Sequence, residues 1–284
     1  MYKYVRFPGY KLKTLTLSYD DANRQDKRLI SIMQKHGLKG TFNINSGCYD
    51  SKYDGEEKGR MSRQEAIDLY TNSGMEVAIH GCYHLSLPEI NIELALDDVL
   101  KDRKDHEKTF NRIVKGMAYA YGTYNDEVVD VLKKLGVNYS RTTICTGKFD
   151  LPTDWLRLPT TCHHKDEHLM VFAKEFVEGD EGKSWQNKKL KMFYLWGHSY
   201  EFDNDDNWNV IEEFAEYVGN RDDIWYATNG EIFDYLQAAE KLQFSADARL
   251  VKNPTAIDIY IDYGNQKCLI PAGKTFDMAT NKVL

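Results

Sequence analysis

The sequence predicts an α/β protein built on a mostly parallel sheet or barrel with helices outside. Two observations carry that prediction. Short apolar runs alternate with amphipathic segments from Lys13 to Ala239, and the alternation repeats roughly seven or eight times. Length agrees, because 284 residues suit one α/β barrel without requiring a second. Apolar residues at 42% and charged residues at 29% leave ample material for a core and exclude global disorder.

The elements follow in order. Leu12 to Tyr19 reads as the first strand, and Leu29, Ile30 and Met33 share one face of a helix from about Asn23 to His36 that Gly37 stops. Gly40 to Ile44 is the second strand. Ser46 to Arg60, rich in Gly, Asp, Ser and Lys, reads as a long loop, and Ser62 with Glu65 forms a capping box for a helix to about Asn72. Met75 to Ile79 is the third strand. A long charged helix from Asn91 to Phe110 keeps Ile92, Leu96, Val99 and Leu100 as its apolar face, and Val114 to Tyr119 is the next strand. Asn125 caps a helix that ends at Gly136. Strands are expected near Val137 to Thr143, Trp155 to Leu158, Met192 to Trp196 and Ile224 to Ala227, with helices near His168 to Val177, Trp208 to Val218 and Asn229 to Lys241 between and after them. Beyond Phe244 the alternation Ala256 to Tyr263, a turn at Gly264-Asn265 and a strand Lys267 to Ile270 suggest a small β appendage. This divides the chain into residues 1–243 and 244–284.

A net charge of −7 argues against a nucleic-acid binder. No run approaches the ~18 apolar residues of a membrane span, and no signal peptide is recognisable. Five cysteines without a CxxC pair read as reduced, mostly buried thiols, which favours a cytoplasmic address. Oligomeric state is not legible.

Four polar motifs each stand just past an expected strand: Ser18-Tyr19-Asp20-Asp21, His80-Gly81-Cys82-Tyr83-His84, Tyr119-Ala120-Tyr121-Gly122 and Leu195-Trp196-Gly197-His198. In a parallel α/β barrel the loops after strands converge on one face, so the four would meet. Individually each is ordinary. An Asp pair before a helix is commonly a cap, and two His four apart are commonly unliganded loop residues, although from a tight loop they can face one metal ion. An extended segment would instead align His80, Cys82 and His84. His163-His164, near Cys162 and His168, read as a polar rim rather than a second metal cluster, and Glu201, Asp203, Asp205 and Asp206 as a solvated acidic loop.

The ordered set Tyr19-Asp20-Asp21, His80-x3-His84, Tyr121-Gly122, Asp154-Trp155 and Leu195-x2-His198 resembles the motifs of the polysaccharide deacetylases, carbohydrate esterase family 4, with the NodB-homology fold, over roughly residues 10 to 240. The resemblance implies a distorted (β/α) barrel of about seven strands. It implies a metal-dependent hydrolase that removes acetyl groups from an N- or O-acetylated oligo- or polysaccharide. By it, Asp21, His80 and His84 are ligands of one divalent ion, with Zn²⁺ the default and Co²⁺, Ni²⁺ or Fe²⁺ also accepted. Asp20 is the general base and His198 the general acid, Tyr121 supplies a backbone N–H to the oxyanion, and Trp155 walls the pocket. Trp196 beside His198 can stack a sugar or fill the core.

The third motif departs from the family's Arg-x-Pro-Tyr/Phe, because Ala118, Ala120 and Tyr121 occupy those positions. The base-orienting arginine is therefore replaced, by Arg141 or Arg157 from another strand, or activity is lost. The alternatives to a deacetylase are accordingly a carbohydrate-binding pseudoenzyme and an amide hydrolase acting on a small non-sugar substrate.

Overall fold

The structure, a computed structural model, describes residues 5–51, 59–179, 188–263 and 266–284. After a short strand β1 (Val5–Arg6), the chain runs through β2 (Lys13–Asp20), α1 (Asp26–Lys35), β3 (Gly40–Ile44), α2 (Arg63–Tyr70), β4 (Glu76–Ile79), α3 (Ile92–Phe110), β5 (Gly116–Ala118), α4 (Asp126–Lys134) and β6 (Tyr139–Cys145). It continues with β7 (Leu158–Thr160), β8 (Cys162–His163), α5 (Leu169–Glu178), β9 (Lys191–Gly197), α6 (Tyr200–Asn204), α7 (Trp208–Val218), β10 (Ile224–Tyr226) and α8 (Asn229–Glu240). The expected turn at Gly264-Asn265 and residues 52–58 of the expected loop lie outside the described residues.

The main sheet has the order β7-β6-β5-β4-β3-β2-β9-β8, with β10 beside the start of β2, and its pairings are parallel. Parallel strands covered by helices on their faces are buried throughout, which is why all eight residues of β2 are buried, from Lys13 to Asp20. The two ends of the sheet come from one stretch of chain. Leu158–Thr160 pairs with β6, Cys162–His163 pairs with β9, and only Thr161 separates them. A single kinked segment thus touches both edges, which is how an α/β sheet with an irregular register can curl without forming an ideal barrel.

The expected strand over Trp155 to Leu158 is corrected. Asp154 accepts the Leu156 N–H at 2.9 Å and caps a 3₁₀ turn over Trp155–Arg157, so extended backbone starts only at Leu158. A larger correction concerns α3. Its buried residues are Ala95, Asp98, Val99, Asp102, His106 and Phe110, while Leu96 is exposed. Acidic residues replace part of the expected apolar face, because backbone N–H groups of the neighbouring loops await them.

The C-terminal segment forms β11 (Gln243–Phe244), β12 (Leu250–Lys252), β13 (Ile259–Tyr263), β14 (Gln266–Ile270), β15 (Thr275–Asp277) and β16 (Lys282–Val283), in two antiparallel sheets. β1 completes one of them, pairing Val5 with Ile261 and Arg6 with Tyr260. Val5, Phe7, Ile232, Tyr235, Ile259 and Ile261 share a core with α8. The Tyr235 hydroxyl donates to the Arg6 carbonyl and accepts the Tyr260 N–H at 3.0 Å. The chain's two ends are therefore tied together on the helix that follows β10.

Asp26, at the start of α1, is fully buried and accepts hydrogen bonds from the Tyr70 and Ser199 hydroxyls. Burial pushes its carboxyl up to about 7, although both hydroxyls oppose the shift. An unfolded Asp titrates near ~3.9, so between about pH 4 and pH 7 the folded state holds a proton that the unfolded chain has released. Its contribution to stability is therefore best in acid and is lost as pH rises through that window. We expect Asp26→Asn to gain on the wild type in melting temperature from pH 5 to pH 7.5. A difference that stays constant across that range would contradict the assignment.

Candidate active site

Four strand ends build one cavity of about 620 Å³, lined by Asp20, Asp21, His80, His84, Tyr121 and His198 among others. Asp20 is the last residue of β2 and Asp21 follows it with a left-handed backbone, φ 80°, continued by Ala22 at φ 53°. Such a conformation is costly for residues with a Cβ and persists only where surroundings over-determine it. Here the Met61 N–H donates to the Ala22 carbonyl at 2.8 Å, the Asp21 N–H to Asn43 O at 2.9 Å, and Asn23 Nδ2 to Asp20 O at 2.9 Å. The kink turns the two adjacent carboxylates apart.

Each carboxylate has its own guanidinium. Arg141 on β6 donates to Asp20, whose Oδ1 also accepts from Asn43 Nδ2 at 2.8 Å. Arg60 Nη2 donates to Asp21 Oδ1 at 2.7 Å. Both carboxylates are almost fully buried, at 2% and 5% exposure, and burial opposes ionisation. The neighbouring side chains nevertheless hold both below the usual range, Arg141 then His80 acting on Asp20, His80 then Arg60 on Asp21.

His80 and His84 come from the loop after β4. The His80 Nδ1–H donates to the Ala118 carbonyl at 2.8 Å, which fixes the tautomer and leaves Nε2 facing the carboxylates, 3.8 Å from Asp20 Oδ2. His84, at φ 55°, brings Nε2 to 3.7 Å from Asp21 Oδ1. Burial, then His80, pull its pKa down to about 4, so it is neutral at neutral pH and its lone pair is available. One ligand atom each from Asp21, His80 and His84 lies within 4.8 Å of the others. A carboxylate oxygen and two imidazole nitrogens at that spacing suit a divalent ion. The loop is not an extended strand, so Cys82 does not join the set; its thiol lies by Ser46 Oγ at 3.5 Å.

The loop is held by α3 rather than by itself. Asp98 accepts the Cys82 N–H at 2.9 Å and the Tyr83 N–H at 3.1 Å, and Asp102 accepts those of Ser46 at 2.8 Å and His80 at 3.0 Å. His106 Nε2 bridges Ile44 O, at 2.9 Å, and Asp102. Sequence reasoning missed this row. Its signal was Asp98, Asp102 and His106 at four-residue steps, one helix face shared with Ala95 and Val99.

Tyr121 sits at φ 57°, followed by Gly122 at φ 70°, and a Cβ on Gly122 would meet Thr143 Oγ1 at 2.2 Å. The tight turn is thus possible only with glycine, and it places Tyr121 beside His84, ring centroids 4.5 Å apart. His198 follows β9, with Nε2 at 3.9 Å from both Asp20 Oδ2 and Asp21 Oδ2, and Nδ1 at 3.3 Å from Glu201. Burial lowers its pKa, but the Glu201 hydrogen bond and the two aspartates outweigh that and raise it.

Three expectations are corrected. Trp155 does not wall the cavity: its ring packs edge-on against Phe233, 5.1 Å away, because the Asp154-capped turn aims it at α8. Arg157 does not reach Asp20, being held by Asp154 at 2.6 Å and Asp126 at 2.5 Å. Trp196 does line the cavity, yet the Arg141 guanidinium lies 4.3 Å over its ring, so that face is taken. Glu201 is not part of a solvated loop either. It lies 3.3 Å from each of His163, His164 and His198 and 3.2 Å from Lys165. His163, His198 and Glu201 form a second group of ligand-type atoms. Lys165 already supplies a cation there, so we read it as a polar hub.

The fold is similar to that of solved polysaccharide deacetylases. The sequence profile described as polysaccharide deacetylase matches residues 9–140, just under half the chain. A Mycobacterium smegmatis protein assigned to the polysaccharide deacetylases is similar in structure, at TM-score 0.60 and 13% identity over 84% of this chain and 94% of that one. A Streptococcus pyogenes deacetylase in complex with acetate matches at TM-score 0.44 and 19% identity over 50% of this chain, which spans 62% of that protein's length. A Bacillus anthracis family 4 pseudoenzyme matches at TM-score 0.48 and 16% identity, over 81% and 68% of the two chains. No curated protein matches the sequence. Among the described residues no helix is long and apolar enough to cross a membrane.

Asp98→Ala should leave the buried Cys82 N–H and the partly buried Tyr83 N–H of the His80–His84 loop without their acceptor. It should lower stability by about 1–3 kcal/mol and weaken divalent-metal affinity by about tenfold or more. Calorimetric titration with Zn²⁺ checks the second effect, and an unchanged affinity would remove α3 from the site's support.

Proposed function

We propose that the chain is a metal-dependent deacetylase that removes acetyl groups from an N- or O-acetylated saccharide or polysaccharide. The observation that carries this reading is the gathering of Asp21, His80 and His84 beside a second, separately held carboxylate, Asp20, in one cavity. Asp21, His80 and His84 would hold the divalent ion, Zn²⁺ by default and Co²⁺, Ni²⁺ or Fe²⁺ as alternatives. When bound, the ion supplies Lewis acidity for the acetyl carbonyl and acidity to a water.

The chain's own residues supply the rest. Asp20 takes the water's proton, with Arg141 and Asn43 fixing its two oxygens and keeping it ionised beforehand. The backbone N–H of Tyr121 donates to the oxygen that becomes negative as the carbonyl is attacked. His198 gives its Nε2 proton to the departing amine or alkoxide, while Glu201 at Nδ1 orients the ring and favours its charged form. Tyr83 and Tyr121, exposed at 50% and 66%, offer rings to a sugar at the cavity's edge, which suits a groove for a saccharide better than a closed pocket for a small amide.

The reading without turnover rested on Ala118 standing where the resembled family has arginine. Arg141 at Asp20 removes its main support.

Metal content distinguishes the roles. Wild type loaded with Zn²⁺ should carry about one ion per chain, His84→Ala little, and Asp20→Asn about one with acetate release lower by about 10³-fold or more. Loss of the ion in Asp20→Asn would overturn the division of labour between the two aspartates. His198→Ala should cost acetamide substrates at least about tenfold more than 4-nitrophenyl acetate, whose leaving group departs without a proton. Equal losses would contradict its role as acid.

A further inference from the structure

A second cavity of about 620 Å³ adjoins the first, and Tyr83 lines both. Its wall is the exposed flank of α3. Lys101, Lys104 and Lys108 recur there at steps of three and four residues, so they form one stripe along the helix, and Arg63 from α2 faces them across the cavity. Asp97 and Asp105 also line it, and Arg63 already pairs with Asp105 at 2.7 Å. Lys101 donates to the Tyr83 hydroxyl. Lys104 and Lys108 are exposed, and among the described residues no carboxylate lies within ion-pair distance of either.

This arrangement opposes two tendencies. Like charges four residues apart on one helix face disfavour the helix, and a chain of net charge −7 has acidic residues enough to cover them. The cations instead face an open hollow. Tyr83, the side chain common to both linings, is set by its backbone bond to Asp98, and its ring lies so close over Gly47 that a Cβ there would meet it at 2.6 Å. A sugar stacked at Tyr83 in the first cavity would therefore lead its chain neighbour into the second.

We propose that this lysine-lined cavity is a subsite for an anionic sugar residue, one bearing a carboxylate or a phosphate, so that the acetylated glycan acted on at the Asp20 site is acidic. The inference rests on the deacetylase reading for what happens next door, but not for the binding itself. Exposed lysines contribute modestly one by one, and their joint effect is screened by salt.

The test separates binding from turnover. The probes are de-acetylated polygalacturonate for the carboxylate, phosphomannan for the phosphate, and de-acetylated xylan as the neutral control, each titrated into the metal-loaded full chain at 50 mM and 300 mM salt. At least one anionic glycan should bind more tightly than xylan, and affinity should fall about tenfold in Lys104→Gln/Lys108→Gln and severalfold at the higher salt. Which one binds identifies the source of the charge. Equal binding of xylan, or anionic binding that the double variant leaves unchanged, would overturn the proposal. On acetylated forms of the same glycans, the double variant should raise KM about tenfold for the anionic one at unchanged kcat, and leave hydrolysis of 4-nitrophenyl acetate alone. A fall in kcat with KM unchanged would also overturn it. Lysine-dependent binding without acetate release from any glycan would uphold the subsite and sink the deacetylase reading.

Discussion

Two neighbouring carboxylates buried at the end of one strand impose the constraint on which the rest of the structure depends. An ionised carboxylate taken out of water costs several kcal/mol unless it is paired and hydrogen-bonded. Asp20 and Asp21 take separate guanidiniums, because the left-handed turn at Asp21 sends them different ways. Arg141 must therefore come from β6 and Arg60 from the loop after β3, and Asn43 from β3 completes the shell of Asp20. The register of three strands and the path of a long loop are all tied to these two side chains. Removing either guanidinium would leave an uncompensated buried charge, so pairing fixes the site's geometry as much as packing does.

The parallel sheet makes this gathering natural. Every strand of a parallel set ends on the same side, so Asp20, His80, Tyr121 and His198 arrive together from four separate crossovers. Loops carry no ladder of their own, however, and the His80–His84 loop needs external acceptors. α3 supplies them by turning Asp98 and Asp102 inward, at the cost of an unbroken apolar face. The opposite demand is met elsewhere: the C-terminal sheets and β1 close over α8 with apolar contacts, and none of their described residues lines the cavity of Asp20 and Asp21.

Period and punctuation made most of this legible in the sequence. Gly40–Ile44 and Trp208–Val218 have the expected bounds, and the capping box of Ser62 with Glu65 and the Asn125 cap are both present. These are local signals, decided by neighbours in the chain. What stayed hidden depended on contacts between distant segments. The strand Cys162–His163 is only two residues long and exists because β9 lies beside it. β1 is as short and takes its conformation from β13, far away in the chain. The inward acids of α3 look like a solvated face until the loops that they bind are in place, and Glu201 looks like one acid among several until His163, His164 and His198 surround it. The motif histidines and aspartates could be picked out because their spacing is itself local. Their partners could not.

Arg141 reaches Asp20 from the strand beside the third motif. Ala118 occupies the position at which the resembled family carries arginine, and Ala118 and Arg141 are register partners on the adjacent parallel strands β5 and β6. Partners in register point to the same side of the sheet and differ by one strand spacing, roughly 4.8 Å. A guanidinium moved from one to the other shifts sideways by that distance, which is within the reach of its side chain. Both ends of the shift are accommodated. At position 118 only the carbonyl is still needed, as acceptor for His80, and any residue supplies it. At position 141 the longer path to Asp20 is braced by the face of Trp196. The departure at the third motif is thus matched by a guanidinium on the neighbouring strand, and the ring that the sequence offered for stacking a sugar is occupied in supporting it.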